Sequence, residues 1–364
     1  MPDPLRPDHL AFALRLHGEL TASGAADLVW SPYSVACAMG LVASGAAGGT
    51  RAELTRLLGS DLDAHLAALD DAVAAGPELA TGTGLWVRED LPIEADFEAR
   101  LRTRPDSAVH AADFEGDPEG VRRTVNAEIA KVTRGLIDEL LAPGDVHPRV
   151  QALLANALWV RLRWQEPFKV AETAEHPFHA PSGTRRTPMM HRRGQLPYAR
   201  RRGWQMVTLA GDHDLALDVL LPDDAARPAA LEPATLSALH RAASSTDVEL
   251  TLPRFELTHR SELSSVLAGT GVRTVFTDQA DLSGISTRPL RVDEVIHQAR
   301  LRVDEEGAEG AAATAVVMRL AAFVPQKPVV FTADRPFHFV LRRRGAILFL
   351  GVLAEPEDPG PANG

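Results

Sequence analysis

The feature that most constrains the fold is the segment Glu294–Val303, in which apolar and polar side chains alternate. Because successive side chains of a strand point to opposite faces, this segment is predicted to be a half-buried strand. Its apolar face includes a histidine, His297. A buried polar group without a partner costs about 1–3 kcal/mol. We therefore expect His297 to be a core residue with hydrogen-bond partners.

A second polar residue lies in an apolar environment. Asn156 falls inside Val150–Val160, a nearly continuous apolar run that is typical of a strand covered on both faces. One hypothesis is that the side chains of Asn156 and His297 satisfy each other.

A segment of small residues, Gly307–Met318, begins four residues after the alternating strand. If it formed a strand, one face would carry small or apolar residues: Ala308, Gly310, Ala312, Thr314, Val316 and Met318. This pattern is typical of a half-buried strand with an unusually small inward face. Alanine is also the best helix former, so periodicity alone leaves a helix as an equal alternative.

The remaining patterns indicate one interwoven α+β unit. Helices are predicted in the first third, including one that starts at Ser31-Pro32 and one with a capping box at Thr50–Glu53. Strands dominate later and end in a hairpin before a loose tail at about 357–364. No repeat or linker divides the 364 residues, so we expect a single domain over 1–364.

The sequence has no pattern that points to catalysis. It lacks a phosphate loop, a zinc-binding His-Glu-x-x-His pattern and paired cysteines. The only cysteine, Cys37, lies in an apolar helical run and is predicted to be a buried structural thiol. We expect the protein not to be an enzyme and to hold neither metal nor cofactor.

Charge and hydropathy exclude two classes of partner. The net charge of -11 disfavours binding to nucleic acid. No apolar run approaches the roughly 18 residues of a membrane span, so we expect no membrane association. The first residues lack the pattern of a secretion signal. We expect a cytoplasmic location if the chain is complete and an extracellular one if a signal peptide is missing.

Several segments match the motifs of one protein family. Glu305–Thr314 resembles the hinge of inhibitory serpins, in which a glycine precedes a run of small residues. Other segments resemble serpin motifs in the family's order: Ser31–Ser34, Thr133–Gly135, Asn156–Leu158, Trp164–Phe168, Leu252–Phe255, Ala280–Ile285, Asp334–Phe337 and Leu348–Gly351. The chain therefore resembles the serpins, the serine protease inhibitors, over most of its length.

The resemblance implies an α+β serpin fold with three β-sheets, eight or nine helices and an exposed reactive-centre loop at about 305–327. It implies a shutter, the polar cluster beneath the opening strands of the main sheet: Ser31, Ser34, Asn156 and His297. It places Trp164 at the breach, where an inserting strand enters. It also implies a hinge made of Gly307, Ala308, Glu309, Gly310, Ala311 and Ala312.

The function implied by the resemblance is suicide-substrate inhibition. A serine protease attacks the loop, and the cleaved loop inserts into the main sheet before the covalent acyl-enzyme is hydrolysed. The inhibitor is expected to be a monomer. The alternative is a non-inhibitory serpin that acts as a carrier, chaperone or storage protein.

Counting from Gly307 at the commonest family spacing places the reactive bond at Ala321-Ala322. Leu320-Ala321 and Phe323-Val324 are the alternatives. These residues are small or apolar, so the expected target is an elastase-like or chymotrypsin-like protease.

Arginine is abundant whereas only three lysines occur, a bias that is typical of a GC-rich genome. We expect a serpin of bacterial source.

Overall fold

The computed structural model describes residues 5–22, 27–73, 79–102, 104, 107–224, 230–307 and 327–361. The chain divides into two compact units. The first contains residues 1–160, 258–300 and 342–351, and the second contains residues 161–257, 301–341 and 352–364.

The described residues form eight α-helices, a number within the expected range. They are α1 (Pro7–Ala22), α2 (Pro32–Gly45), α3 (Gly48–Leu58), α4 (Leu62–Val73), α5 (Ala95–Leu101), α6 (Pro118–Val132), α7 (Pro233–Ala242) and α8 (Ser264–Gly269). The strands are β1 (Leu28–Trp30), β2 (Leu79–Arg88), β3 (Ser107–Ala112), β4 (Ala152–Val160), β5 (Ala174–Ala180), β6 (Gly183–Arg201), β7 (Trp204–Ala210), β8 (Leu215–Pro222), β9 (Ser244–Pro253), β10 (Phe255–Glu262), β11 (Glu294–Val303), β12 (Val329–Thr332), β13 (Phe337–Arg343) and β14 (Ala346–Leu353).

The first unit is built around a five-stranded sheet with the order β10-β11-β4-β2-β3. Strand β4 runs parallel to β11 and antiparallel to β2, and β2 runs parallel to β3. Helix α6 contacts β2 and β4. Its apolar stripe, which includes Val125 and Ile129, joins a buried cluster with Leu153 of β4 and Ile296 of β11. Helix α6 therefore packs over β2 and β4, and its apolar stripe shares a buried cluster with Ile296 of β11.

The second unit contains strands β8, β7, β6, β9 and β12 side by side, with β5 also paired to β6. Strand β6 is 19 residues long. It pairs with β9 over Met189–Tyr198 and with β7 over Tyr198–Arg201. Strand β6 is therefore shared by two groups of strands, which hydrogen bonds join into one sheet. The described residues form two sheets, of nine and five strands, whereas three were expected.

The helix α3 does not have the predicted capping box. Its N-cap is Ala47, three residues before Thr50. The Thr50 hydroxyl accepts a hydrogen bond from the Asp281 backbone N–H at 3.0 Å. The Glu53 carboxylate accepts from the N–H groups of Arg273 and Thr274 at 2.8 and 2.9 Å. The capping-box interpretation was wrong because both side chains bind a distant segment.

The described part of the C-terminal tail has specific contacts. Asp358 forms an ion pair with Arg254 at 3.0 Å. The Arg302 guanidinium donates hydrogen bonds to the carbonyl oxygens of Gly360 and Pro361, at 3.1 and 3.0 Å. Residues 357–361 are thus held within the second unit, which the sequence did not predict.

Candidate functional site

Two buried polar side chains lie next to each other in the five-stranded sheet. His297 is 2% exposed and Asn156 is 3% exposed. They are partners in the parallel ladder of β11 and β4, which joins Glu294–His297 to Leu153–Asn156. Their burial is as the alternating and apolar patterns predicted.

The hydrogen bonds of this cluster run to other elements. The Ser31 backbone N–H donates to Nε2 of His297 at 3.0 Å, and the Asn156 amide donates to the Thr83 hydroxyl at 2.5 Å. Ser31 also caps α2, because its hydroxyl accepts from the Ser34 N–H at 3.1 Å. The structure thus brings Ser31, Ser34, Asn156 and His297 together in the first unit.

Asn156 and His297 do not satisfy each other, so that hypothesis was wrong. The Asn156 Oδ1 and the His297 Nδ1 have no hydrogen-bond partner among the described residues. The physical reason is that each side chain uses its other polar atom for a neighbouring element, Thr83 of β2 or Ser31 before α2. The cluster is therefore only half satisfied.

The protonation state of His297 follows from its surroundings. Burial, with a smaller contribution from the nearby His259, lowers the pKa of His297 to about 3. The ring is therefore neutral near pH 7. Since Nε2 accepts a hydrogen bond, its proton must reside on Nδ1.

The ladder between β4 and β11 covers the first four residues of a ten-residue strand. The next residue, Gln298, has a buried Oε1 without a hydrogen-bond partner in the described chain. Together with Asn156 Oδ1 and His297 Nδ1, this gives three unpaired polar atoms where the ladder ends. A buried, half-satisfied polar boundary of this kind is costly to keep closed.

Trp164 anchors the chain beyond β11 in the second unit. It is 4% exposed, and its indole N–H donates to the Asp304 carbonyl at 3.0 Å. Its backbone N–H donates to the Glu306 carbonyl at 3.1 Å. Gly307 bridges to Arg163, with φ at +129°, and an added Cβ would lie 2.1 Å from the Leu162 carbonyl oxygen. The position therefore requires glycine.

Sequence reasoning missed a buried ion pair at the base of the loop. The Glu305 carboxylate is fully buried and lies 3.1 Å from an Arg254 guanidinium nitrogen. It also accepts from the Thr173 hydroxyl at 2.7 Å, while the Glu305 carbonyl accepts from the Phe168 N–H at 2.8 Å. In the sequence, Arg254 belongs to a motif that resembles the serpins, and no local pattern connects it to Glu305.

The remaining predicted site residues lie outside the described residues. These are the hinge residues Ala308, Glu309, Gly310, Ala311 and Ala312 and the candidate bond residues Leu320, Ala321, Ala322 and Phe323. Further along the chain, β12 pairs in parallel with β9.

The described residues contain no group of three or more His, Cys, Asp or Glu side chains that could hold a metal ion. Among them there is also no helix with the length and apolar character needed to cross a membrane.

The fold and the cluster define an α+β protein whose parallel strands β4 and β11 are only partly joined. The family model described as "Serpin (serine protease inhibitor)" matches residues 8–356. The chain therefore belongs to the serpin family. Serpins are protease inhibitors or carriers rather than catalysts, and the family generally acts on serine proteases. The prediction that the chain is not an enzyme is thereby confirmed.

Similar proteins come from several organisms. Iris from Ixodes ricinus is 32% identical over 368 residues, covering 95% of this chain and 97% of Iris. The leukocyte elastase inhibitor of Bos taurus is 31% identical over 369 residues, with coverage of 95% and 97%. The structure of human thyroxine-binding globulin with thyroxine is similar in fold, with a TM-score of 0.86, 22% identity and coverage of 96% and 98%. These comparisons do not support the expected bacterial source.

Proposed function

We propose that the protein is a suicide-substrate inhibitor of serine proteases, which traps the acyl-enzyme by inserting its cleaved reactive loop between β4 and β11. The observation that carries the proposal is the short parallel ladder between these strands, which joins only Glu294–His297 to Leu153–Asn156. No strand of the five-stranded sheet lies between them. The place for an additional strand is thus closed by only a few backbone pairings.

The direction of the chain favours insertion at this boundary. The loop follows β11, so it must reverse its direction to enter beside that strand. An inserted strand would then run antiparallel to β11 and also to β4, because those two strands are parallel. Antiparallel ladders are slightly more stable per residue than parallel ones. Insertion of about 11 residues would form on the order of ten to twenty backbone hydrogen bonds, each contributing roughly 0.5–1.5 kcal/mol.

The side chains at the boundary support the same proposal. Asn156, His297 and Gln298 each have a buried polar atom without a partner in the described chain. An unpaired buried polar atom costs about 1–3 kcal/mol, so the closed arrangement is less stable than a fully paired one. We assign Ser31, Ser34, Asn156 and His297 to the shutter that holds the strands together, and Trp164 to the breach.

The reactive loop supplies the substrate, and the inhibitor needs no catalytic group. We propose Gly307, Ala308, Glu309, Gly310, Ala311 and Ala312 as the hinge. The small residues predicted on its inward face, Ala308, Gly310 and Ala312, let the strand enter. The reactive bond is Ala321-Ala322, with Leu320 and Phe323 at the alternative positions. Its small, apolar character favours an elastase-like or chymotrypsin-like target, in keeping with the name of the bovine relative. The inhibitor acts as a monomer and as a single domain over 1–364.

The experiment is incubation with elastase, chymotrypsin and trypsin, followed by denaturing electrophoresis. We expect a covalent band at the summed mass with elastase or chymotrypsin, and none with protease whose active-site serine is blocked. Loop cleavage by all three proteases without any covalent band would reject the inhibitory function and favour a non-inhibitory carrier.

The reactive bond is tested on the same complex. Mass spectrometry of the released C-terminal fragment should show a new N-terminus at Ala322. An N-terminus outside Ala321 to Val324 would contradict the assignment of the bond and leave the trapping mechanism to the electrophoresis result.

A further inference from the structure

A cleft of about 530 Å³ lies in the first unit between the β2–β3 edge of the sheet and helix α6. Its floor is formed by Thr81–Gly84 of β2, and its walls include Ala108 and His110 of β3 and Ile129 of α6. Its volume falls within the range of about 300–1,000 Å³ that is common for small-molecule sites. The proposed inhibitory function makes no use of this cleft.

Two glycines shape the floor. Gly82 and Gly84 are two residues apart on a strand and so lie on the same face. A Cβ at Gly82 would lie 2.8 Å from the Val132 side chain, and a Cβ at Gly84 would lie 2.2 Å from the Trp86 ring. The absence of side chains at both positions lets α6 approach closely and lets the indole fold back along its own strand.

An aromatic pair forms one end of the cleft. Trp86 and His110 are partners in the parallel ladder of β2 and β3, and their rings stack with centroids 5.0 Å apart and an interplanar angle of 15°. The His110 Nε2 lies 3.6 Å from a carboxylate oxygen of Glu128. Because Trp86 is only 3% exposed, the half-exposed His110 ring is the aromatic surface that this end of the cleft offers to a further aromatic ring.

The lining at the C-terminal end of α6 is cationic. Lys131 and Arg134 both line the cleft and are exposed. The Arg134 guanidinium lies 3.9 Å from the centroid of the Trp159 ring, which orients it. Glu128 would repel an anion placed beside it. An anionic group in the cleft must therefore lie at the end with Lys131 and Arg134, while an aromatic group lies towards Trp86 and His110.

We propose that this cleft binds a small molecule that combines a flat aromatic ring system with a carboxylate. The ring stacks on the half-exposed His110 ring, which Trp86 supports from behind, and the carboxylate binds Lys131 and Arg134. This assignment stands whether or not the protein traps a protease, because it rests on the cleft alone.

Isothermal titration calorimetry with 2-naphthoate tests the proposal, with 2-naphthalenemethanol as the neutral control of the same ring system. We expect saturable 1:1 binding of the carboxylate with a Kd below about 1 mM. Lys131→Gln should weaken it about fivefold, the upper end for an exposed ion pair. Lys169→Gln, which removes the same charge from an exposed lysine outside the cleft, should leave the Kd unchanged.

A filling variant provides a second test. Ala108→Leu adds three carbon atoms to the wall of the cleft and should abolish binding, while an unchanged melting temperature shows that the protein still folds. The proposal is overturned if 2-naphthoate fails to bind, if the alcohol binds as tightly, or if Lys131→Gln and Ala108→Leu both retain the wild-type Kd.

Discussion

His297 uses one imidazole nitrogen for a hydrogen bond between distant parts of the chain and leaves the other unpaired. Its Nε2 accepts from the Ser31 N–H at the start of α2, 266 residues away. The ring thus ties α2 to β11, and α2 itself contacts β2 and β4. The hydrogen bond of His297 therefore helps to hold the closed boundary between β4 and β11.

We expect His297→Ala to lower the free energy of unfolding by about 1–3 kcal/mol, because the buried Ser31 N–H loses its acceptor. The intact variant should also form loop-sheet polymers more readily on heating, since the closed arrangement is weakened. Thermal melting and native electrophoresis measure the two effects. His176→Ala, which changes an exposed histidine of β5, is the matched control. Equal melting temperatures for His297→Ala and the control would contradict the role assigned to His297.

Two histidines and one glutamate affect the pH dependence of folding stability in opposite directions. Burial lowers the pKa of His297 to about 3 and that of His338 to about 4. The unfolded chain therefore binds protons that the folded chain does not, and these residues remove stability as the pH falls below about 6.5. Glu294 behaves in the opposite way: burial, followed by the carboxylates of Glu262, Asp293 and Asp145, raises its pKa to about 7 against the opposing effect of Arg260.

Since Glu294 holds its proton in the folded state, its contribution to stability is lost as the pH rises from about 4.5 to about 7. We expect the difference in melting temperature between Glu294→Gln and wild type to increase in favour of the variant across this window. Glu89→Gln, which changes an exposed glutamate, controls for the loss of one charge. A constant difference between Glu294→Gln and wild type from pH 4.5 to 8 would show that the raised pKa is not present.

At the level of secondary-structure elements, the segment that follows β11 is held in place by the buried carboxylate of Glu305 and not by a continuation of that strand. Glu305 contacts Arg254 and Thr173, and Arg254 also contacts Asp358. Glu305→Gln should destabilise the intact protein by about 3 kcal/mol, because the buried Arg254 guanidinium loses its buried counter-charge and keeps only the partly exposed Asp358. Chemical denaturation measures this loss.

Asp358→Asn is the matched control for the same arginine. Asp358 is about one-third exposed, and ion pairs of exposed groups contribute at most about 1 kcal/mol. A loss for Asp358→Asn as large as that for Glu305→Gln would mean that the tail, and not the buried pair, anchors the base of the loop.

The sequence predicted those strands and helix ends that are marked by a pattern of a few neighbouring residues. The predicted strand at Glu294–Val303 has the same bounds in the structure, and Ser31 caps α2 as expected. The long strand β6 was missed because it is rich in arginine, so its alternation of buried and exposed residues is hidden. Its length depends on pairing with β9 and β7, which the local sequence does not encode.

For the polar cluster around His297, the sequence predicted which side chains are buried but not which residues they bind. The burial of Asn156 and His297 follows from their apolar neighbours, but their partners, Thr83 and Ser31, are 73 and 266 residues away. The Glu305–Arg254 pair spans 51 residues and has no local pattern. A pattern indicates that a polar side chain is buried, whereas the identity of its partner depends on tertiary structure.

At the scale of the whole molecule, the proposed function makes stability depend on the state of the loop. The intact chain has a five-stranded sheet with unpaired polar atoms at the boundary of β4 and β11. A cleaved chain with an inserted strand would replace the short parallel ladder by two antiparallel ones. The cleaved protein should therefore melt at a substantially higher temperature than the intact one.

A charged residue on the inward face of the hinge should separate cleavage of the loop from trapping of the protease. Ala308→Arg places a long cation on the face of the hinge that the alternating pattern predicts to point inward. Burying an unpaired charge costs several kcal/mol, so insertion should become slower than hydrolysis of the acyl-enzyme. The loop remains a substrate, and we expect cleavage without a covalent complex. The stoichiometry of inhibition and the gain in melting temperature after cleavage measure the effect.

Ala311→Arg is the matched control, since the same substitution falls on the face that the pattern predicts to point outward. It should trap protease at nearly the wild-type stoichiometry and gain nearly the wild-type thermal stability after cleavage. Because the two variants carry the same charge, any difference between them reports which side of the hinge becomes buried. If Ala308→Arg trapped protease as efficiently as wild type, insertion of this hinge between β4 and β11 would not be the mechanism.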